Sequence, residues 1–261
     1  MSSIISSISR QGAYEPFELQ VSRGQIAGHR ALTVFGYNAD IDTAEETVWP
    51  DGGIAPRPAA ALQMKVSSSD ANDASAGTGA RTVVVAGLDA NYNEITEVVT
   101  LNGQTAVTTT ASFLRVNSLT VATAGSGLAN AGVIYIGTGV VTAGVPATIY
   151  NLIAVGYNVT TSALYTVPAN YTAYVLAGGV TAAQVGGTNP ITAKLITTPA
   201  SGIRYAAAVT TLNNGVNDYM FVAPIVVAEK TDLEATAIGK GSNNEVSAFF
   251  NLILIKNNGQ V

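Results

Sequence analysis

The sequence predicts an all-β protein: β-sandwich or jelly-roll domains behind an extended N-terminal arm. Three observations predict it. Residues 116–193 contain no Asp, Glu, Lys, Arg or His, and are instead Val, Ile, Ala, Tyr and Thr broken by Gly, Asn and Pro. Short apolar or alternating runs recur at the spacing that sandwiches and jelly rolls produce. Helical periodicity beyond two turns is absent, and the best helical stretch, Ala59 to Met64, is short.

Taken in order, residues 1–35 begin Ser-rich without clear periodicity and read as an arm, either flexible or ordered against a neighbour. Residues 36–80 read as irregular, because Trp49-Pro50-Asp51-Gly52-Gly53 and Pro56-Arg57-Pro58 interrupt any continuous element. Ser67 to Gly79 reads as a loop. From Arg81 the signal is β: Thr82 to Val85, a turn over Gly87 to Asn93, then Glu94 to Leu101, with Ile95, Val99 and Leu101 on one face. Asn102-Gly103 predicts a two-residue hairpin turn, since both positions tolerate positive φ. Thr105 to Thr110 follows, then Phe113 to Thr123, whose apolar phase slips near Asn117 and predicts a bulge. Val133 to Ile136, Val140 to Thr142 and Ala147 to Ile153 complete a first β domain over 36–150.

A C-terminal domain over 151–261 takes Tyr165 to Pro168 and Tyr171 to Leu176 around a Pro-Ala-Asn turn. Further strands are Ala193 to Thr197, Arg204 to Thr211, Tyr219 to Val227, Leu233 to Ile238 and Val246 to Ile255. The run Phe249 to Ile255 is apolar on both faces except at Asn251. It is either a central strand between two layers or a strand covered by another subunit.

Composition narrows the function. Charged residues make up 11% of the 261, against about 25% in ordinary proteins. The apolar share of 48% is rich in Ala and Val, and aromatics reach 7%, so cores are thin and burial against neighbouring subunits is a natural supplement. A net charge of −5 without basic clusters leaves no groove for nucleic acid and no patch for an anionic membrane surface. With no cysteine, disulfides and thiol chemistry are excluded. The N-terminal stretch lacks a basic start followed by an apolar run, which points to synthesis in a cytoplasm. No apolar run approaches the roughly 20 residues of a spanning helix, and the aromatic girdles of a membrane barrel are missing.

Chemistry-bearing patterns are sparse. His29, the sole histidine, has no HxxxH or HExxH context and reads as a loop residue. The carboxylates fall into three groups: Asp40, Asp42, Glu45 and Glu46; Asp70 and Asp73; and Glu229, Asp232 and Glu234. Asp70, Asn72 and Asp73 offer oxygen ligands of the kind calcium takes, but without an EF-hand pattern, and solvated loops are the plainer reading. Gly239-Lys240-Gly241-Ser242 lacks the spacing of a phosphate loop. Catalytic residues, cofactors and metals are therefore expected to be none, and no enzyme is expected.

Three stretches carry a family likeness. They are Phe35-Gly36-Tyr37-Asn38-Ala39-Asp40-Ile41-Asp42-Thr43 leading to Val48-Trp49-Pro50-Asp51-Gly52-Gly53; Gly79 to Val83 through Gly87 to Tyr92, Thr100-Leu101-Asn102-Gly103 and Phe113-Leu114-Arg115-Val116; and Tyr165 to Ala169. Together, over roughly 35–175, they resemble virion structural proteins of tailed bacteriophages, especially from marine and cyanobacterial hosts. The resemblance implies a virion component, and among such roles a capsid decoration (cement) protein. Its partners would be the major capsid protein and copies of itself as a homotrimer. Trp49, Phe249 and Phe250 are the expected interface residues, and Arg81 and Arg115 are expected to pair with Glu94 or Glu97 across strands. The alternative is a tail, baseplate or fibre protein that binds a host glycan through Tyr157, Tyr171 and Tyr174.

Overall fold

The computed structural model describes residues 15–184, 190–241 and 243–257. In chain order, α1 (Phe17–Ser22) precedes β1 (His29–Ile41), β2 (Glu46–Thr47), β3 (Leu62–Ser68), β4 (Ala80–Leu88), β5 (Glu94–Thr100), β6 (Val107–Phe113), β7 (Arg115–Ala124), β8 (Ile134–Thr142) and β9 (Val145–Ile153). Then follow β10 (Leu164–Thr166), β11 (Tyr171–Gln184), β12 (Ile191–Thr198), β13 (Tyr205–Leu212), β14 (Gly215–Val227), β15 (Asp232–Gly239) and β16 (Asn244–Lys256). The predicted fold class holds: these strands pair antiparallel into sheets that stack as sandwiches.

Two sandwiches share the chain. The first joins a sheet of order β1-β16-β11-β14 to one of order β10-β15-β12-β13, with β2 also on β15. Its core alternates along β16, where Val246, Ala248, Phe250, Leu252 and Leu254 all point inward, as the two-residue period of a strand requires. The second joins β6-β3-β8-β9 to β5-β4-β7 around Met64, Val83, Val85, Leu119, Ile134 and Ile136.

In sequence, the second sandwich is inserted within the first. The expected boundaries at 35/36 and 150/151 do not coincide with these groupings. β1 runs through residue 35 and pairs in register with β16 from His29↔Ile255 to Asn38↔Val246, so it belongs with the C-terminal strands. Gly36, Asn38 and Asp40 read as punctuation in one dimension, yet a strand forms because β16 supplies a full ladder. Gly36 is needed there for another reason: a Cβ would collide with the carbonyl oxygen of Val48 and the nitrogen of Ala163.

The bulge near Asn117 is present, since Ser118 pairs with Ala86 and Val116 with Gly87 while Asn117 is skipped. The run Phe249 to Ile255 is a central strand, flanked by β1 and β11. Ala59 to Met64 is not helical; it leads into β3, which is held between β6 and β8. The short helix lies at Phe17–Ser22 instead. The chain does turn tightly at Asn102-Gly103, with Gly103 and Gln104 closed by the Thr105 N–H donating to the Asn102 carbonyl at 3.1 Å, but the turn does not join β5 to β6 as a hairpin, because those strands belong to different sheets. The chain crosses between layers there, with Gly103 at φ +59° against Ala71.

Candidate functional site

The polar chemistry of the molecule gathers where the two sandwiches meet. β15 alternates: Leu233, Ala235 and Ala237 enter the core of the first sandwich, so Asp232 and Glu234 fall on its opposite face. Both are buried there by the segment carrying Arg57 and by the start of β7. Arg115 grips Asp232 with two nitrogens, Nε at 2.9 Å and Nη2 at 3.1 Å. Arg57 reaches Asp232 at 2.8 Å and Glu234 at 3.4 Å. Thr166 donates its hydroxyl to Asp232 at 2.5 Å. Arg204 extends the cluster, bridging Glu234 at 2.8 Å and Glu45 at 3.0 Å, and Lys194 holds Glu45 at 2.8 Å.

Burial alone would push the Asp232 carboxyl upward, but the guanidinium groups of Arg57 and Arg115 and the Thr166 hydroxyl hold it below the ordinary aspartate range. Glu45 behaves alike: burial opposes its charge, and Lys194 and Arg204 bring it below the usual glutamate range. Such a cluster gives little net stability, because desolvation offsets attraction, yet breaking one member leaves a buried charge uncompensated. Its chemical capacity is to fix geometry. The carboxylates are saturated by cations that cannot leave, which is unsuited to accepting a proton from a substrate.

Two neutral contacts complete the junction. The amide of Asn117, displaced by its bulge, donates to the Thr166 carbonyl at 3.0 Å and accepts from the Thr166 N–H at 2.9 Å, tying β7 to β10. Trp49 is 1% exposed and packs with Ala55, Ile149, Leu152 and Leu164. It thereby joins the connecting segment to β9 of one sandwich and β10 of the other. Its Nε1 donates to the carbonyls of Gly52 and Gly53 at 2.9 and 3.2 Å.

These positions correct the expected interface. Trp49 and Phe250 are buried inside the protomer, at 1% and 2% exposure, and are unavailable to a partner. Only Phe249 retains surface. It lines a recess of about 230 Å³ with Phe35, Tyr37 and Tyr157. It also borders a cavity of about 240 Å³ between the sheets of the first sandwich, walled by Gly178, Ala193, Ala208, Ala235 and Ala248 among others. That cavity is what small side chains leave when they face one another across two layers.

The expected Arg–Glu pairing across β4, β5 and β7 is also corrected. Arg115 pairs with Asp232, Arg81 donates to the Gly77 carbonyl at 3.1 Å, and Glu94 takes Arg30. Glu97 accepts the backbone N–H groups of Thr110 and Ala111 at 2.9 and 2.8 Å. These partners come from up to 117 residues away, beyond the reach of strand-neighbour reasoning.

The remaining candidates are occupied by the fold itself. Asp73 is fully buried and accepts from the Ser68 hydroxyl and from the N–H groups of Ala80, Ala131 and Gly132, at 2.6 to 2.8 Å. Asp70 accepts from Asn72 through both backbone and side chain. Among the described residues no group of three His, Cys, Asp or Glu could hold a metal ion. His29 sits 2.9 Å from the Ala27 carbonyl and stacks edge-on with Phe17. Glu46 accepts from the N–H groups of Asp42 and Gly53. Tyr157, Tyr171 and Tyr174 are not brought together, since Tyr171 and Tyr174 lie three positions apart on β11 and therefore on opposite faces. Among the described residues, no helix is long and apolar enough to cross a membrane.

No protein-family model matches the chain, and no curated protein matches it. Among solved structures, the VP2 subviral particle of infectious bursal disease virus aligns over 94% of this chain and 79% of its own, at 10% identity and a TM-score of 0.25. The Gx strain of the same virus aligns over 89% and 73%, at 12% identity and a TM-score of 0.24. T=1 particles derived from that virus align over 88% and 69%, at 12% identity and a TM-score of 0.24. At such scores the likeness is too slight to carry either fold or function.

Proposed function

We propose that this chain is a structural component of a virus particle, and within that role a capsid decoration protein. It would sit on the lattice of the major capsid protein, in contact with copies of itself as a homotrimer. One observation carries this reading: charges are few, and the exposed strands β13 and β14 carry apolar side chains with Asp218 as their one charged residue. Neutral surfaces make contacts whose strength does not depend on ionic screening. The resemblance of its motifs to those of tailed-phage virion proteins supports the same role, proposed as structural rather than enzymatic.

The test adds the purified chain to expanded heads that lack it. Stoichiometric binding and a raised temperature of head disruption are expected. A failure to bind heads, with binding to host cells instead, would favour the tail or fibre reading, for which the aromatic recess of Phe35, Tyr37, Tyr157 and Phe249 is the observation in hand. Turnover of a host polysaccharide would overturn the structural role altogether.

A further inference from the structure

The cavity of about 240 Å³ in the first sandwich reaches β13 and β14, the end strands of its two facing sheets. Register fixes what faces it. On one sheet Gly178, Tyr219 and Phe250 stand abreast on β11, β14 and β16. On the other, Ala193 stands abreast of Thr210, and Leu195 abreast of Ala208 and Ala235. Phe250, Ala193 and Ala235 belong to the core of this sandwich, so their strand neighbours point between the layers as well. Glycine and alanine at Gly178, Ala193, Ala208, Ala235 and Ala248 leave the space between the walls unfilled. Unfilled apolar space of this size forfeits contacts and is destabilising until something occupies it.

One polar group of side chains spans the β13–β14 edge of this space. Asn217 donates its amide to the Thr210 hydroxyl oxygen at 2.8 Å, and the Tyr219 hydroxyl donates to the same oxygen. Asn217 also donates to the Tyr219 oxygen. Both lone pairs of the Thr210 oxygen are thereby used, and its proton remains to be given. Thr210 and Tyr219 both line the cavity, and Tyr219 keeps 37% of its surface exposed, so the edge is also an entrance. Among the described lining residues the only charged one is Lys194. It pairs with Val209, on the opposite face from Ala193 and Leu195, and Glu45 holds its ammonium at 2.8 Å. The interior therefore offers apolar contact and one hydroxyl donor, with its one cation already engaged.

We propose that this cavity binds a small neutral molecule with an apolar body and one hydrogen-bond acceptor, of the ketone or ester type, the acceptor resting on the Thr210 hydroxyl. Small-molecule sites commonly take this form, apolar walls with a few convergent polar groups. A dry apolar cavity of about 150 Å³ takes benzene, so 240 Å³ suits a body of about ten non-hydrogen atoms. Other occupants fit the walls poorly. A charged molecule would lose its hydration and gain no counter-charge. A polyol would bring several hydroxyls to one donor, and a peptide segment would bring backbone N–H and C=O groups that apolar walls leave unpaired. The inference concerns the protomer alone and does not rest on the assembly reading.

The experiment titrates the full chain with acetophenone and with α-methylstyrene, its hydrocarbon isostere. Calorimetry is expected to show acetophenone binding with a dissociation constant of about a millimolar or below. On binding, methyl resonances of alanine-labelled protein should shift at Ala193, Ala208, Ala235 and Ala248 and stay in place at Ala80, in the core of the second sandwich. That measurement locates the ligand without any substitution. Thr210→Val keeps the shape and removes the hydroxyl, and should weaken acetophenone at least about fivefold relative to α-methylstyrene; the ratio cancels any general loosening of the edge. Ala208→Leu extends a side chain into the space and should abolish binding of both molecules. Wild type that does not bind acetophenone, shifts confined to alanines away from the cavity, or binding that survives in folded Ala208→Leu each overturns the site. An unchanged ratio in Thr210→Val overturns the part given to its hydroxyl.

Discussion

Asp73 ties together three stretches of loop through one buried carboxylate. Its four donors come from Ser68, Ala80, Ala131 and Gly132. Each N–H left unpaired in the interior costs about 1–3 kcal/mol, so Asp73→Ala should destabilise the protein by at least ~3 kcal/mol, read as a fall in the urea midpoint. A loss under about 1 kcal/mol would mean that water reaches the loop. The sequence marks Asp73 as a polar residue among small ones, and small residues are what let backbone N–H groups crowd a carboxylate. It does not say whether the acceptor faces a cation, solvent or its own backbone, because two of the donors lie some sixty positions downstream. Trp49 teaches the same lesson: a lone tryptophan between Val48 and Pro50, followed by Gly52 and Gly53, reads as a loop anchor for a partner, and only the insertion of a whole sandwich after it closes the pocket that buries it.

At the scale of elements, the junction between sandwiches should respond to acid. Asp232 and Glu45 both have folded values below their ordinary ones. Groups depressed in this way contribute fully above the unfolded values, about 3.9 for Asp and 4.3 for Glu, and the contribution is lost as pH falls through the lower folded values. Calorimetry should therefore show coupled unfolding of the two sandwiches at neutral pH and separated transitions as the pH drops below about 4. Asp232→Ala should produce the separation at neutral pH, at a cost of about 3 kcal/mol, because Arg57 and Arg115 lose a buried counter-charge. Coincident transitions at both pH values would assign the coupling to Trp49 and Asn117 instead. Strand alternation made the charged face of β15 legible, since Asp232 and Glu234 interleave with Leu233 and Ala235. The arginines that cover it were not legible: nothing local distinguishes Arg57 or Arg115 from a solvated cation.

For the whole molecule, charges are few, and apolar side chains lie exposed along β13 and β14. Assembly through such a surface should be nearly indifferent to salt. The self-association constant is expected to change less than about threefold between low and molar salt, because screening acts on charges and not on apolar contact. A steep salt dependence would show that ion pairs hold the copies together. The 240 Å³ cavity behind β13 and β14 belongs to the same economy of small side chains. A core of Ala and Gly faces cannot fill the space between two sheets, and the protein leaves apolar surface available for burial by association.

What the sequence determined by itself is local: the β class, most strand positions, the bulge at Asn117 and the two-sided burial of the last strand. These follow from alternation, turn residues and side-chain shape, which act over a few residues. The tertiary structure decided the rest. It joined β1 to β16, set one sandwich inside the other, turned Trp49 and Phe250 inward and brought arginines to Asp232. Those outcomes depend on pairing between segments as distant as His29 and Ile255, and the free energy of such pairing belongs to the facing surfaces together rather than to either segment alone.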